Sequence, residues 1–249
     1  MPRDILELAA PAADERIRYG PESLHFGDLR LPDGPGPHSA VIFIHGGFWR
    51  AQHALDYAGH VCSVLARQGV ATWNIEYRRV GDAGGGWPGT LDDVRRGAEF
   101  IEEIARSHAI DLERIVVAGH SAGGHLALWL AAQNTMRLRQ AISIAGVTDL
   151  RRAFELHLGD GSTEQFLGGS PEEVPERYSS TSPIELLPIH TPQMLIHGTC
   201  DEVVPIELSE RFSAASANCE LLRLEGGDHF DAIDPRSHAA TLFQCARFG

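Results

Sequence analysis

Lysine is absent from all 249 residues, and each of the 21 basic side chains is arginine. Three chemistries go with it: the phosphate-cradling lysine of a P-loop, Schiff-base formation, and activation of a serine by lysine. Cysteine is scarce. Cys62, Cys200, Cys219 and Cys245 lie far apart, without the paired spacing of a zinc site or the density of a small disulfide framework, so free thiols in a reducing compartment are expected. Long apolar runs are also missing, and the first twenty residues carry Asp4, Glu7, Asp14 and Glu15. That opening argues against a signal peptide or a membrane-spanning helix, and the expectation is an unexported, cytoplasmic protein. Nor is there an excess of positive charge. With 34 acidic against 21 basic groups, a net −13 and no clustering, nucleic acid and an anionic membrane are disfavoured as partners. A small neutral or weakly polar molecule fits better; monomer and homodimer both stay open.

What is present is an ordinary globular composition, 43 % hydrophobic and 22 % charged, enough for one core and one domain over residues 1–249. Short apolar runs bounded by turn residues alternate with segments of helical period, which predicts a mostly parallel sheet covered by helices on both faces. Before the alternation, Arg16 to Gly20 and Ser23 to Leu31 read as an antiparallel hairpin at the sheet edge. Strands are expected at Val41 to Ile44, Val70 to Ile75, Ile115 to Val117, Ala141 to Ile144, Gln193 to Ile196 and Glu220 to Leu224. Helices are expected from Ala54 to Leu65, from Thr90 with Asp93 as a capping box, after Gly119 through Ala131, around Leu208 to Ala215, and from Ser237 to Ala246. Residues 147–190 are weaker in pattern: Phe154, Leu156, Leu158, Phe166 and Leu167 supply an apolar face, and Gly159, Gly161, Gly168 and Gly169 supply freedom to move. They read as a lid inserted before the next strand, or as a surface excursion with its own small core.

The sharpest local signal is Gly119-His120-Ser121-Ala122-Gly123-Gly124, placed where a strand passes directly into a helix. A serine there takes a strained backbone that lifts its hydroxyl above the sheet, and small neighbours let the chain turn. The alternative is a glycine-rich turn with an incidental serine. A serine nucleophile needs a base and a carboxylate to hold the base's tautomer. Asp201 follows the run Leu195 to Cys200 at a strand's carboxyl end, where open α/β sheets keep their chemistry. Its competing readings are a helix cap before Pro205 and replacement as the acid by Glu202. Of thirteen histidines, His229, on the loop after the final strand, completes the order serine, acid, histidine. Asp228, His229 and Asp231 also suggest metal ligands, but no cluster at ligand spacing accompanies them, and no metal is expected. Acyl transfer further needs oxyanion donors. His45-Gly46-Gly47-Phe48-Trp49 follows a strand directly, so the amides of Gly47 and Phe48, with that of Ala122, are the candidates, and His45 is a ring bracing the loop.

Taken together, His45 to Trp49, Gly119 to Gly124, His197 to Asp201 with Val204 and Pro205, and Asp228-His229-Phe230 resemble the esterase and lipase branch of the α/β-hydrolase superfamily, hormone-sensitive-lipase-like. The resemblance runs from about residue 40 to residue 235. The form His-Gly-Gly-x-Trp and the ending Asp228 to Asp231 are similar to those of kynurenine formamidases, whereas relatives with a third glycine, here Phe48, are mostly carboxylesterases. The resemblance implies an α/β-hydrolase fold, no metal, no organic cofactor, and an acyl-enzyme on Ser121 that water activated by His229 hydrolyses. Trp49, Trp87 and His120 are candidates for the substrate pocket, the aromatics restricting the acyl group to a short one; simple core packing is the competing reading. Three functions stay open: a carboxylesterase for small esters, an arylformamidase, and a non-catalytic binder that kept the pocket.

Overall fold

The computed structural model describes residues 4–237. A short helix α1 (Asp4–Glu7) precedes two strands, β1 (Glu15–Arg18) and β2 (Phe26–Arg30). An alternation follows: β3 (His38–Ile44), α2 (Gly59–Arg67), β4 (Ala71–Ile75), α3 (Gly89–Glu99), α4 (Ile101–Ser107), β5 (Ile110–His120), α5 (Ala122–Gln133) and β6 (Gln140–Ile144). Three short helices come next, α6 (Leu150–Glu155), α7 (Ser162–Leu167) and α8 (Pro175–Thr181), and then β7 (Gln193–Gly198), α9 (Glu207–Ala215) and β8 (Cys219–Leu224). The helix expected from Ser237 to Ala246 lies outside the described residues apart from its first position, as does Cys245.

Eight strands of the described residues join one sheet in the order β1-β2-β4-β3-β5-β6-β7-β8. β1 pairs antiparallel with β2, and β2 with β4; every pairing from β4 through β3 to β8 is parallel. The α/β-hydrolase architecture expected from the sequence, with its antiparallel edge, is therefore the observed one. Parallel strands buried on both faces read as continuous apolar runs rather than alternating ones. β3 shows why: Ala40, Ile42 and Ile44 enter one core layer while Val41 and Phe43 enter the other. β5 divides in the same way, Ile115 and Val117 against Val116 and Ala118. It begins five residues earlier than its apolar run, because the polar stretch Asp111 to Arg114 is strand as well, braced by Arg114 Nε donating to Asp111 at 2.8 Å.

The helix α5 is buried from Ala122 through Ala131 and, His125 apart, apolar on all sides, as befits a helix enclosed all round. Two local expectations need correction. Thr90 does not cap a helix: it lies inside α3, and its hydroxyl donates to the Arg78 carbonyl while accepting from the Gly86 amide at 3.1 Å. Asp93 does not reach back to it, because its carboxylate is occupied by Arg78 at 2.7 and 2.8 Å and by His25 Nε2 at 2.8 Å. The Arg78 amide donates to Asp93 Oδ2 as well, at 3.0 Å, so both oxygens are taken by partners from outside α3.

Residues 147–190 turn their apolar side chains inward. Phe166, Leu167 and Tyr178 are buried in the main core, and Phe154, Leu156 and Leu158 pack against it. Two of the glycines here bound a helix, Gly161 and Gly168 taking left-handed conformations at the two ends of α7.

Candidate active site

The strand β5 delivers the chain to Ser121 at the carboxyl edge of the sheet. Ser121 has φ 59° and ψ −122°, a sparsely populated conformation, and its amide donates to the Ile144 carbonyl of β6 at 2.8 Å. The turn closes so tightly that a Cβ on Gly119 would stand 2.1 Å from the Gly123 carbonyl oxygen, and one on Gly123 would stand 2.0 Å from that of Ile44. Glycine is thus required on both sides of the serine. Ala122 is the first residue of α5, so its amide has no acceptor within the helix and is available to a ligand.

β7 and β8 deliver the other two residues. Gly198, ending β7, lies against the backbone of Gly227 and Asp228 so closely that a Cβ would meet the Gly227 carbonyl oxygen at 2.3 Å. The Cys200 amide donates to that same carbonyl at 2.9 Å. This contact brings Asp201 and His229 together: His229 Nδ1 donates to Asp201 Oδ2 at 2.7 Å, with both side chains buried. Asp201 Oδ1 accepts from the amides of Val203 and Val204 at 2.8 Å each. Asp201 therefore caps a turn with one oxygen and orients the histidine with the other. It does not cap α9, which begins at Glu207. Burial alone would raise the Asp201 pKa, but hydrogen bonds from His197 and His229 outweigh it and hold the carboxyl well below the ordinary range. Glu202, the substitute acid, is exposed.

Asp228 and Asp231 are engaged in the loop itself. Asp228 Oδ1 accepts from the Phe230 and Asp231 amides at 2.9 and 3.1 Å, and Asp231 Oδ2 accepts from the Asp228 amide at 2.8 Å. These bonds shape the turn that carries His229.

Gly47, Phe48 and Trp49 have φ values of 111°, 50° and 56° in succession, so the glycine turn folds back on itself in left-handed backbone. Gly47 and Phe48 line a cleft with Ser121 and His229; the cleft measures about 80 Å³ and is completed by Leu6, His53, Tyr57, His120, Val203 and Phe230. His45 braces this turn as expected. Its ring stacks on Tyr77 at 4.3 Å, Nδ1 faces the Gly46 carbonyl at 2.8 Å, and Nε2 faces Glu76 Oε1 at 2.9 Å. Burial works against ionisation of Glu76, yet the His45 ring and Arg79 prevail and its pKa falls below the ordinary value.

Of the three pocket candidates, His120 alone borders the cleft. Trp49 is fully buried: its ring stacks on Phe166 at 4.8 Å and its indole N–H donates to His125 Nδ1 at 3.2 Å. The left-handed turn points it away from the cleft into the core. Trp87 is also absent from the cleft wall; it lies under the Arg177 guanidinium, 4.4 Å from the ring centre. A larger hollow of about 480 Å³ lies between the amino ends of β6, β7 and β8, at the end of the sheet opposite Ser121.

Three contributors to this geometry carry no clear signal in the sequence. His197 sits 3.2 Å from Asp201 Oδ2 and is held by Ser209 and the Val204 carbonyl; a histidine four residues before the acid, at a strand end, is the available hint. Tyr57 is legible only as part of a helical apolar stripe. Glu76, directly after β4, is a charged residue closing a buried strand, but nothing local points to His45.

A family model described as BD-FAE matches residues 28–215. Esterase LipC of Mycobacterium tuberculosis is 27 % identical over 92 % of this chain and 64 % of its own length. A probable isoprenylcysteine alpha-carbonyl methylesterase, ICME, of Oryza sativa subsp. japonica is 26 % identical over 87 % of this chain and 58 % of its own. The chain thus spans less than two thirds of the length of either relative. Among solved structures, a truncated carbohydrate esterase from gut microbiota superposes with TM-score 0.78 at 22 % identity, covering 95 % of both chains. The Est2 esterase of Thermogutta terrifontis superposes at 0.72 with 23 % identity, over 94 % of this chain and 90 % of its own. No helix among the described residues is long and apolar enough to cross a membrane. The matched family model, the relatives and the shared fold agree: the chain belongs to the BD-FAE family, in the esterase and lipase branch of the α/β-hydrolases.

Proposed function

We propose that the protein is a serine hydrolase that cleaves small carboxylic esters. The observation that carries this reading is the 2.7 Å contact between His229 Nδ1 and Asp201 Oδ2, with His229 and Ser121 lining one cleft. That contact assigns a proton to Nδ1 and leaves Nε2 as the basic nitrogen. His229 Nε2 takes the proton of Ser121 Oγ as the hydroxyl attacks the ester carbonyl. The amides of Gly47, Phe48 and Ala122 receive the developing oxyanion, each such donor contributing about 3 kcal/mol in the transition state. Collapse expels the alcohol, which takes the proton from His229 and leaves an acyl group on Ser121. Water then attacks with His229 again as base, releasing the acid and restoring the serine. No metal or organic cofactor enters these steps. Relatives named as esterases support the same chemistry.

The cleft argues for a short acyl group. At about 80 Å³ it is far smaller than pockets for drug-sized ligands, which run to about 300 Å³ or more, and Leu6, Phe48, Val203 and Phe230 give it apolar walls. Residues 147–190 bear on it through Phe48, whose ring lies against Gly159; we assign them a part in substrate choice. A second reading, hydrolysis of an aryl formamide, draws on the same feature, because formyl is the smallest acyl group and Phe48 and Phe230 offer faces to an aromatic amine. Turnover of 4-nitrophenyl acetate through octanoate beside N-formylkynurenine, by wild type and Ser121→Ala, decides between them. Ester turnover lost in the mutant supports the first reading, a formamide preference the second, and mutant activity equal to wild type refutes both.

A further inference from the structure

The residue before Ser121 joins a chain of hydrogen bonds that the hydrolytic steps above do not use. His120 is buried, and its Nε2 lies 2.8 Å from the backbone carbonyl of His229, an acceptor only. The proton therefore resides on Nε2, and Nδ1 is left as an acceptor. Tyr57 Oη stands 3.2 Å from that Nδ1 and must donate to it. The same phenol oxygen accepts from the Gly46 amide. Every proton in the chain has one assignment: Gly46 N–H to Tyr57, Tyr57 O–H to His120, His120 Nε2–H to the carbonyl of His229.

Neither ring titrates in the working range. Burial pushes the His120 pKa down to about 3, helped by the nearby His229 ring, and burial pushes the Tyr57 phenol up. The anchor of the chain is also secure. Tyr57 belongs to a 3-10 turn, Leu55–Ala58, which is tied down by Asn74 donating to the Leu55 carbonyl at 3.0 Å and by the Leu55 amide donating to Glu76 at 3.2 Å.

We propose that Tyr57 and His120 are positioning residues that hold the glycine turn and the His229 loop in one register on either side of Ser121. The His120 ring also packs against that of His229, centroids 4.6 Å apart, and both positioning residues border the cleft, but neither exchanges a proton with the substrate in the steps above. Gly46 leads into the Gly47 and Phe48 amides, and the His229 carbonyl belongs to the residue whose ring must reach Ser121, so slack in the chain displaces donor and base together. A displacement of about 1 Å at a reacting centre costs about 10²-fold in rate. This proposal rests on the serine-hydrolase reading of the site.

The test uses Tyr57→Phe, His120→Leu and His120→Gln, with active sites counted by a fluorophosphonate and turnover of 4-nitrophenyl acetate expressed per labelled site. Tyr57→Phe and His120→Leu should lower kcat per site by about 10–100-fold with KM within about threefold of wild type. His120→Gln, whose Nε2–H can replace the donor to the His229 carbonyl, should recover most of that loss. A kcat per site within about twofold of wild type in both Tyr57→Phe and His120→Leu, even with a lower melting temperature or fewer labelled sites, would mean a purely structural role and overturn the proposal. Wild type that the fluorophosphonate does not label would overturn the serine-hydrolase reading, and this proposal with it.

Discussion

His229 and Asp201 are joined at 2.7 Å through Nδ1 and Oδ2, while the other oxygen of that carboxylate holds the amides of Val203 and Val204. The two oxygens have separable duties. Asp201→Asn keeps an acceptor for the two amides but presents an amide N–H to the ring, forcing the wrong tautomer. It should fold with a melting temperature near wild type and lose about 10³–10⁴-fold in kcat. Asp201→Ala loses both duties and should in addition be less stable by about 1 kcal/mol or more. Thermal melts beside ester kinetics for the pair check this.

Acid should destabilise the protein well above the carboxylate range. His120 and His125 are buried, and burial lowers their pKa values to about 3 and about 4. In the unfolded chain each takes a proton near pH 6.5. Between these values the unfolded state binds more protons, so stability is complete above about pH 6.5 and falls as pH drops toward about 4, by up to about 1.4 kcal/mol per pH unit for each ring. Glu76, Asp93 and Asp201, all with lowered pKa values, add a second loss below about pH 4. Urea midpoints from pH 7.5 to 4.5 should decline steadily, and His125→Gln should flatten the slope. Equal midpoints at pH 7 and 5 would contradict this.

The elbow tolerates no side chain at Gly123. A Cβ there meets Ile44 O at 2.0 Å and His45 O at 2.6 Å, both backbone atoms that cannot yield without moving β3. Gly123→Ala should cost about 2–4 kcal/mol and lower the melting temperature by about 5–15 °C. Gly226, with φ 71° and open space around its Cβ, is the contrast. Gly226→Ala should cost only about 1 kcal/mol of backbone strain.

Leu6 borders the cleft beside Ser121 and His229 although it lies over a hundred positions away in the chain. Trimming it should admit longer acyl groups. Leu6→Ala should raise the ratio of octanoate to acetate turnover by about 3–10-fold and leave the acetate rate near wild type. An unchanged ratio would remove α1 from the substrate pocket.

These relationships show which parts of the molecule local sequence can announce. The parallel strands are legible because a run such as Ala40 to Ile44 is apolar toward both layers, and the hairpin at the edge because Gly20 and Pro21 interrupt it. Ser121, Asp201 and His229 are legible as candidates because each follows a strand, and strand ends converge at one edge of the sheet. Side-chain direction is another matter. Trp49 adjoins the glycine turn in sequence, yet three successive positive φ values rotate it into the core against Phe166. Thr90 and Asp93 have the spacing of a capping box, but Arg78 and His25, brought in by other elements, win the carboxylate. The Tyr57 to His120 link spans 63 positions and depends on two buried rings meeting, which no local pattern encodes.

The measurement that bears most directly on Ser121 as nucleophile is covalent labelling by a fluorophosphonate, with the modified residue located by mass spectrometry of the digested protein. One phosphonyl group per chain is expected, on Ser121, with labelling abolished in Ser121→Ala and strongly slowed in His229→Gln. Labelling of a different residue, or equal labelling of wild type and Ser121→Ala, would contradict the assignment.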